Sequence, residues 1–265
     1  MTASVPVLMY HAVAQDPAPA TRRLSVAPDM FAAQLAMLRR LGCTTLTFGE
    51  LASALREGRP LPDRSVVLTF DDGYADFCTT ALPLLTRYRC CATVFVTTGW
   101  IDDAGKHRAG TPLDRMMCWG QIDEVAAAGV EVGAHSHSHA ELDQLSDVAL
   151  GCELVTSRAL LADRLDRDIP SLAYPYGYSS LRVRAAVCAA GYRHAAAVSN
   201  VALRPWHDTF ALPRLTVSRS TDLNTFERLL LGRAVTRTYL GARTLTAGWS
   251  VVRRARYLRS TAGRR

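Results

Sequence analysis

The chain has 265 residues, 49% of them hydrophobic and 21% charged, and a formal net charge of +7. That length predicts one sizeable domain, since about three quarters of the unfolded surface can be buried. The longest uncharged apolar-leaning run, CCATVFVTTGWI at 90–101, falls short of the roughly 18 residues of a membrane span and excludes a spanning helix. The basicity is local: nine arginines and no Asp or Glu follow residue 232, so residues 1–232 carry −2, the difference between +7 and +9.

In chain order, short β-type runs alternate with helical patterns. VPVLMY (5–10) precedes a helix near 28–41, TTLTF (44–48) one near 49–57, SVVLTF (65–70) one near 75–88, and ATVFVTT (92–98) one near 119–128. VEVGAH (130–135) precedes a long helix near 146–165, SLAYPY (171–176) one near 179–190, and HAAAVS (194–199) an irregular stretch over 200–220. A helix near 222–231 and the basic tail follow. Repeated βα units predict a parallel sheet or barrel. The segment IDDAGKHRAGTPLD (101–114) breaks the pattern with Gly, Pro and charge and predicts a surface excursion.

The N-terminus, MTASVPVLMYH, does not resemble a secretory signal. Seven cysteines, an odd number with no C-x-x-C pair, behave as small hydrophobes of a reducing compartment. Both features predict a cytoplasmic protein.

In parallel folds, ligands collect at the carboxyl ends of the strands. SVVLTF ends in Asp71-Asp72-Gly73, VEVGA in His135-Ser136-His137-Ser138-His139, LAYP in Tyr176-Gly177 and VPVLMY in His11. Alone, the first is a solvated turn and the second a polar loop. Together, imidazoles and carboxylates at strand ends suit zinc or another first-row divalent ion, with an open position for catalysis. Spacing does not rank the three imidazoles. In a helical turn His135 and His139 share a side, whereas in a strand all three do.

TFDDG (69–73), H-S-x-x-H (135–139) and LAYPYG (172–177) resemble, in order, the three motifs of the NodB-homology polysaccharide deacetylases, carbohydrate esterase family 4. The resemblance, which extends over roughly residues 5–220, implies a distorted (β/α)7-type barrel within a domain over residues 1–232; charge and spacing predict a basic amphipathic helical tail over 233–265. The resemblance further implies metal-dependent removal of an acetyl group from a sugar. Carried over, Asp72, His135 and His139 hold the metal, zinc first with cobalt, nickel or manganese as alternatives. His137 is a bystander, Asp71 is the general base, and the backbone N–H of Tyr176 supports the oxyanion. Two departures narrow the subgroup. Many members carry an arginine in the third motif where this chain has Ala173, and Arg214 in ALPRLTV is the candidate replacement brace for Asp71. No histidine follows His207 to serve as a C-terminal acid, whereas LMYH resembles the N-terminal Y-H motif of a rearranged branch similar to the poly-β-1,6-N-acetylglucosamine deacetylases, which implies His11 as general acid.

The expected substrate is an N-acetylated sugar in a saccharide, glycolipid or glycosylated metabolite. Alternatives are a related hydrolase of formamide or cyclic ureide C–N bonds and a catalytically silent carbohydrate-binding homologue. Trp206, Tyr178 and Tyr74 are candidates for an apolar platform under a sugar, and Trp100 and Trp119 for packing under the excursion. In the tail, Leu245, Trp249 and Val252 form an apolar stripe flanked by Arg243, Arg253, Arg254 and Arg256. That pattern fits a helix docked on the barrel or lying on an anionic membrane face. Nucleic acid is the weaker partner.

Overall fold

The computed structural model describes residues 5–204, 206–233, 235–241, 253, 256 and 257. Eight strands alternate with helices. The first half of the chain contains β1 (Val7–Tyr10), α1 (Pro28–Arg40), β2 (Thr44–Leu46), α2 (Phe48–Glu57), β3 (Ser65–Phe70), α3 (Leu82–Tyr88), β4 (Thr93–Val96) and α4 (Trp119–Ala127). The second half contains β5 (Glu131–Ala134), α5 (Asp147–Leu165), β6 (Ser171–Ala173), α6 (Leu181–Ala189), β7 (His194–Ala196), β8 (Leu215–Thr216), α7 (Leu223–Leu230) and α8 (Val235–Thr238). Local chemistry sets several boundaries. Thr47 and Glu50 close a capping box at the start of α2, and Gly58 ends it at φ 65°. Ser146, Ser180 and Asp222 cap α5, α6 and α7.

All strand pairs are parallel, in the order β7-β6-β5-β4-β3-β1-β8. One edge of β3 pairs β1 along its length, while the other edge pairs β2 over Ser65–Val67 and β4 over Thr69–Phe70. The stretch at 200–220, read from sequence as irregular, stitches the two ends of this curled sheet together. Leu212 N–H donates to Ala195 O and Ala197 N–H to Leu212 O, while Leu215 and Thr216 pair with Leu8 and Met9 of β1. The result is a distorted barrel. A two-residue strand carries no periodicity, so its existence depends on partners at both edges and not on its own sequence.

Alternation along the strands divides the core. Leu8, Val66 and Leu68 pack outward in the large cluster beneath the helices, whereas Val7, Val67, Phe95, Ala173 and Ala196 fill the interior with Phe48 and Leu212. All six residues of β3 are buried, as expected for a strand covered on both faces. At the amino ends of the strands a buried polar network plugs the interior. Glu131 accepts from Gly49 N–H and Thr93 Oγ1 at 2.8 Å each and from Ser171 Oγ. His194 Nε2 lies 2.7 Å from the same Ser171 Oγ, which has already given its one proton to Glu131 and therefore accepts from the imidazole.

All seven cysteines are free. Among the described residues, no helix is long and apolar enough to cross a membrane. Of the tail residues singled out in the sequence, Arg243, Leu245, Trp249, Val252 and Arg254 lie outside the described residues.

Candidate active site

The carboxyl ends of β1, β3, β5 and β6, with the chain entering β8, bring together the site residues expected from sequence. β3 leads directly into Asp71 and Asp72, β5 into His135, β6 into the Pro175–Gly177 turn and β1 into His11. Arg214 enters immediately before β8.

Asp72, His135 and His139 form a group whose ligand atoms all lie within 4.8 Å of one another. His135 Nε2 and His139 Nε2 are each 3.3 Å from Asp72 Oδ1. His135 Nδ1 lies 2.8 Å from Ala173 O, a carbonyl that only accepts, so in the neutral ring the proton resides on Nδ1 and Nε2 presents a lone pair. Asp72 Oδ1 is buried and has no hydrogen-bond partner. The His135 Nε2 lone pair and the Asp72 Oδ1 lone pair repel at 3.3 Å unless a cation lies between them. The donor set therefore fits a divalent ion, and the Nδ1 contact to Ala173 O is the kind of support that fixes a ligating imidazole.

The HSHSH loop is neither helix nor strand. Ser136 and His139 take left-handed φ values of 62° and 60°, which turn His135 and His139 toward Asp72. Glu153 of α5 anchors the loop from beneath by accepting from the backbone N–H groups of His137 and Ser138 at 2.9 and 2.8 Å and from Ser138 Oγ at 2.5 Å. His137 is not in the ligand group; its Nδ1 is 2.8 Å from Thr98 Oγ1. The 101–114 excursion presses on the loop from outside. A side chain at Gly110, where φ is 76°, would collide with Ser138 O. Trp100, buried beside this excursion, stacks on His139 with ring centroids 4.7 Å apart.

Asp71 is paired with Arg214 across 143 positions of sequence: Nη1 donates to Oδ1 at 2.6 Å and Nη2 to Oδ2 at 2.7 Å. Nη1 also donates to Thr69 Oγ1 and Nε to Ala197 O, and the guanidinium lies over the Phe95 ring at 5.6 Å. Arg214 is 0% exposed and Asp71 3%. Burial pushes the Asp71 carboxyl up, but Arg214, His135 and His11 overcome it and leave Asp71 below its ordinary value. Ala173 is packed in the interior cluster that contains Phe95. His11 Nδ1 is buried without a partner. Burial lowers the His11 imidazole against the opposing pull of Asp72 and Asp71.

Tyr176 adopts φ 59° in the turn after β6. It is half-exposed, its ring is 4.7 Å from His139, and it stacks on Tyr178 at 6.0 Å. Tyr74 is buried behind the site beside Trp100, which removes it from the expected sugar platform. Trp206 is exposed and stacks with Arg204. Trp119 is half-buried beneath Arg164. The sequence reading missed Thr69, Ala197, Glu153 and the backbone of Ala173. Each acts through a contact far along the chain, and none carries a local signature.

Several known proteins are similar to this chain in sequence or fold. A poly-β-1,6-N-acetyl-D-glucosamine N-deacetylase of Escherichia coli K12 is 32% identical over 147 residues, half of this chain but a fifth of that protein. One of the same name from Staphylococcus aureus MSSA476 is 25% identical over 206 residues, 74% of this chain and 69% of that protein. The fold matches that of the Streptococcus pyogenes deacetylase PplD in complex with acetate at a TM-score of 0.77 and 24% identity, covering 87% of this chain and 99% of that one. The sequence profile named Polysaccharide deacetylase spans residues 58–195, more than half of the 265 residues, and the chain belongs to that family.

Proposed function

We propose that this protein is a divalent-metal amide hydrolase that removes the acetyl group from an acetamido sugar. The observation that carries the reading is the adjacency of two differently prepared carboxylates. Asp72 sets an unpartnered oxygen 3.3 Å from the Nε2 atoms of two imidazoles, while Asp71 next to it is held ionised by a bidentate arginine. Asp72, His135 and His139 would hold the ion, zinc first, with cobalt, nickel or manganese also suited to the donor set. A bound divalent ion polarises an acetyl carbonyl and lowers the pKa of water.

The chain's own groups supply the remaining steps. The Asp71 carboxylate accepts the proton of the attacking water, and Arg214 fixes the direction in which its oxygens point. The Tyr176 backbone N–H donates to the oxyanion. An amine leaves only when protonated, and His11 in its protonated form, which Asp72 and Asp71 favour, delivers that proton. The relatives named for poly-β-1,6-N-acetyl-D-glucosamine support an acetamido sugar as substrate.

A screen for acetate release over amino-sugar substrates, with Asp71→Asn as the inactive control, tests the reading. Metal in the purified protein without acetate release, but with formamide or ureide turnover, would move the assignment to a related C–N hydrolase. Absence of both metal and turnover would leave a carbohydrate-binding homologue. A cytoplasmic position with the C-terminal segment near anionic lipid belongs to the same proposal; it is supported by the arginines after residue 232 other than Arg253 and Arg256, which pair with carboxylates of the barrel. Liposome co-sedimentation with and without the segment tests it, and equal behaviour would remove it.

A further inference from the structure

Arg253 lies 110 positions beyond Asp143, yet its side chain is 3% exposed and engages the barrel at the mouth of the site. Nη1 is 2.8 Å from Glu141 Oε1, Nε donates to Asp143 Oδ2 at 2.9 Å, and Nη2 donates to Asp143 Oδ1. Its carbonyl accepts from Gln144 Nε2 at 3.3 Å. The guanidinium lies over the Tyr178 ring, 3.6 Å from the centroid, close enough for cation–π attraction strengthened by burial. Glu141 and Asp143 belong to the loop that runs on from His139. Tyr178 belongs to the turn that carries Tyr176. One side chain therefore ties together the two loops after β5 and β6.

The tie continues into the site. Tyr178 stacks on Tyr176 at 6.0 Å, and the Tyr176 ring meets His139 at 4.7 Å. A second contact from the same segment runs alongside. Arg256 pairs with Glu141 at 3.7 Å, and Arg182 of α6, which donates to Asp143 O and Leu145 O, lies over the Tyr257 ring at 4.5 Å. The geometry points to Arg253 as a positioning residue. It fixes the Tyr176–Tyr178 pair as a rigid aromatic face at the rim, against which the sugar unit next to the reacting one is held. Arg253 thereby forms part of the saccharide cleft. This inference rests on the proposed deacetylase reading for its substrate, and on the contacts alone for the tie.

The planar fork and the stack on Tyr178 require arginine; a lysine would keep one ion pair and lose the rest. The test uses the full chain with Arg253→Ala, Arg253→Lys, Tyr178→Ala and Tyr178→Phe. The first readout is hydrogen exchange of the 174–180 backbone, which needs no substrate. Arg253→Ala, Arg253→Lys and Tyr178→Ala are expected to speed exchange there several-fold, and Tyr178→Phe to leave it unchanged. The second readout is acetate release from N-acetylglucosamine oligomers and from the monomer. For the first three variants the oligomer KM is expected to rise about tenfold and the monomer KM to stay within about twofold, with any fall in kcat from loosening of the Tyr176 N–H shared equally by oligomer and monomer. Unchanged exchange at 174–180 in Arg253→Ala overturns the tie. Faster exchange with an unchanged oligomer KM overturns the cleft role. Wild-type protein that releases acetate from no saccharide overturns the deacetylase reading and the cleft role with it, while the exchange result still judges the tie.

Discussion

Replacing Arg214 with methionine removes one partner of a fully buried ion pair while keeping most of the volume beneath Phe95. Asp71 then remains in the barrel end with only its weaker neighbours, and breaking such a pair typically costs about 3–5 kcal/mol. At an m-value of about 3 kcal/mol/M, the urea midpoint at pH 7 should fall by at least about 1 M. The loss should depend on pH. In the native protein Asp71 is depressed, so its contribution is present above the unfolded carboxylate pKa and disappears as pH falls through the lower folded value. In Arg214→Met, burial acts unopposed by the guanidinium and raises Asp71. The deficit is then greatest at neutral pH and narrows in acid as the carboxyl takes up a proton. The acid limb of kcat/KM should move to higher pH for the same reason. Asp71→Asn and the double variant complete the cycle, and the double should be markedly less damaged than the sum of the singles, because both buried charges leave together. Equilibrium urea unfolding of the four proteins at pH 4 and pH 7 is the assay. A single-variant loss under about 1 kcal/mol at pH 7, or additive losses, would refute the claim that the pair acts as a unit.

Other consequences are simpler to measure. His135→Ala or His139→Ala should abolish stoichiometric zinc retention on dialysis, whereas His137→Ala should retain it; an equal loss at position 137 would overturn the ranking of the imidazoles. His11→Ala should keep the metal and lower kcat by about 100-fold or more, the scale of a lost general acid, and near-normal turnover would reject its role. At the opposite end of the barrel, burial, with Arg193 and Arg56 adding to it, pushes His194 down to about 4. Its folded value lies below the unfolded one, so its contribution is complete above about pH 6.5 and is lost as pH falls through 4. Over that interval it amounts to about 3 kcal/mol. His194→Gln, which can still donate to Ser171, should flatten the stability profile between pH 4 and 6.5, and an unchanged slope would dismiss His194 as the source.

The barrel was legible because βα alternation repeats with strong periodicity, and the site because its residues sit at strand ends. The illegible parts have physical reasons. The spacing in HSHSH could not rank its imidazoles, since Ser136 and His139 leave both regular geometries on which a spacing argument depends. Ala173 looked like a missing brace when judged by its side chain, yet its carbonyl orients His135 while Arg214 reaches Asp71 from elsewhere. Arg253 read as one edge of an amphipathic stripe, because nothing in the tail announces carboxylates more than a hundred residues upstream.

Asp72, Ser136, His139 and Tyr176 all hold left-handed φ values between 59° and 74° at the open end of the barrel. Each such residue carries a conformational cost of about 1 kcal/mol or more that the packed strands below must sustain. Heat tolerance and chemistry therefore favour different residues at these four positions. A library of this chain sorted only for survival at high temperature should accumulate glycine or asparagine at 136 and 176, giving lineages that outlast the parent on heating while their aromatic rim has already been lost.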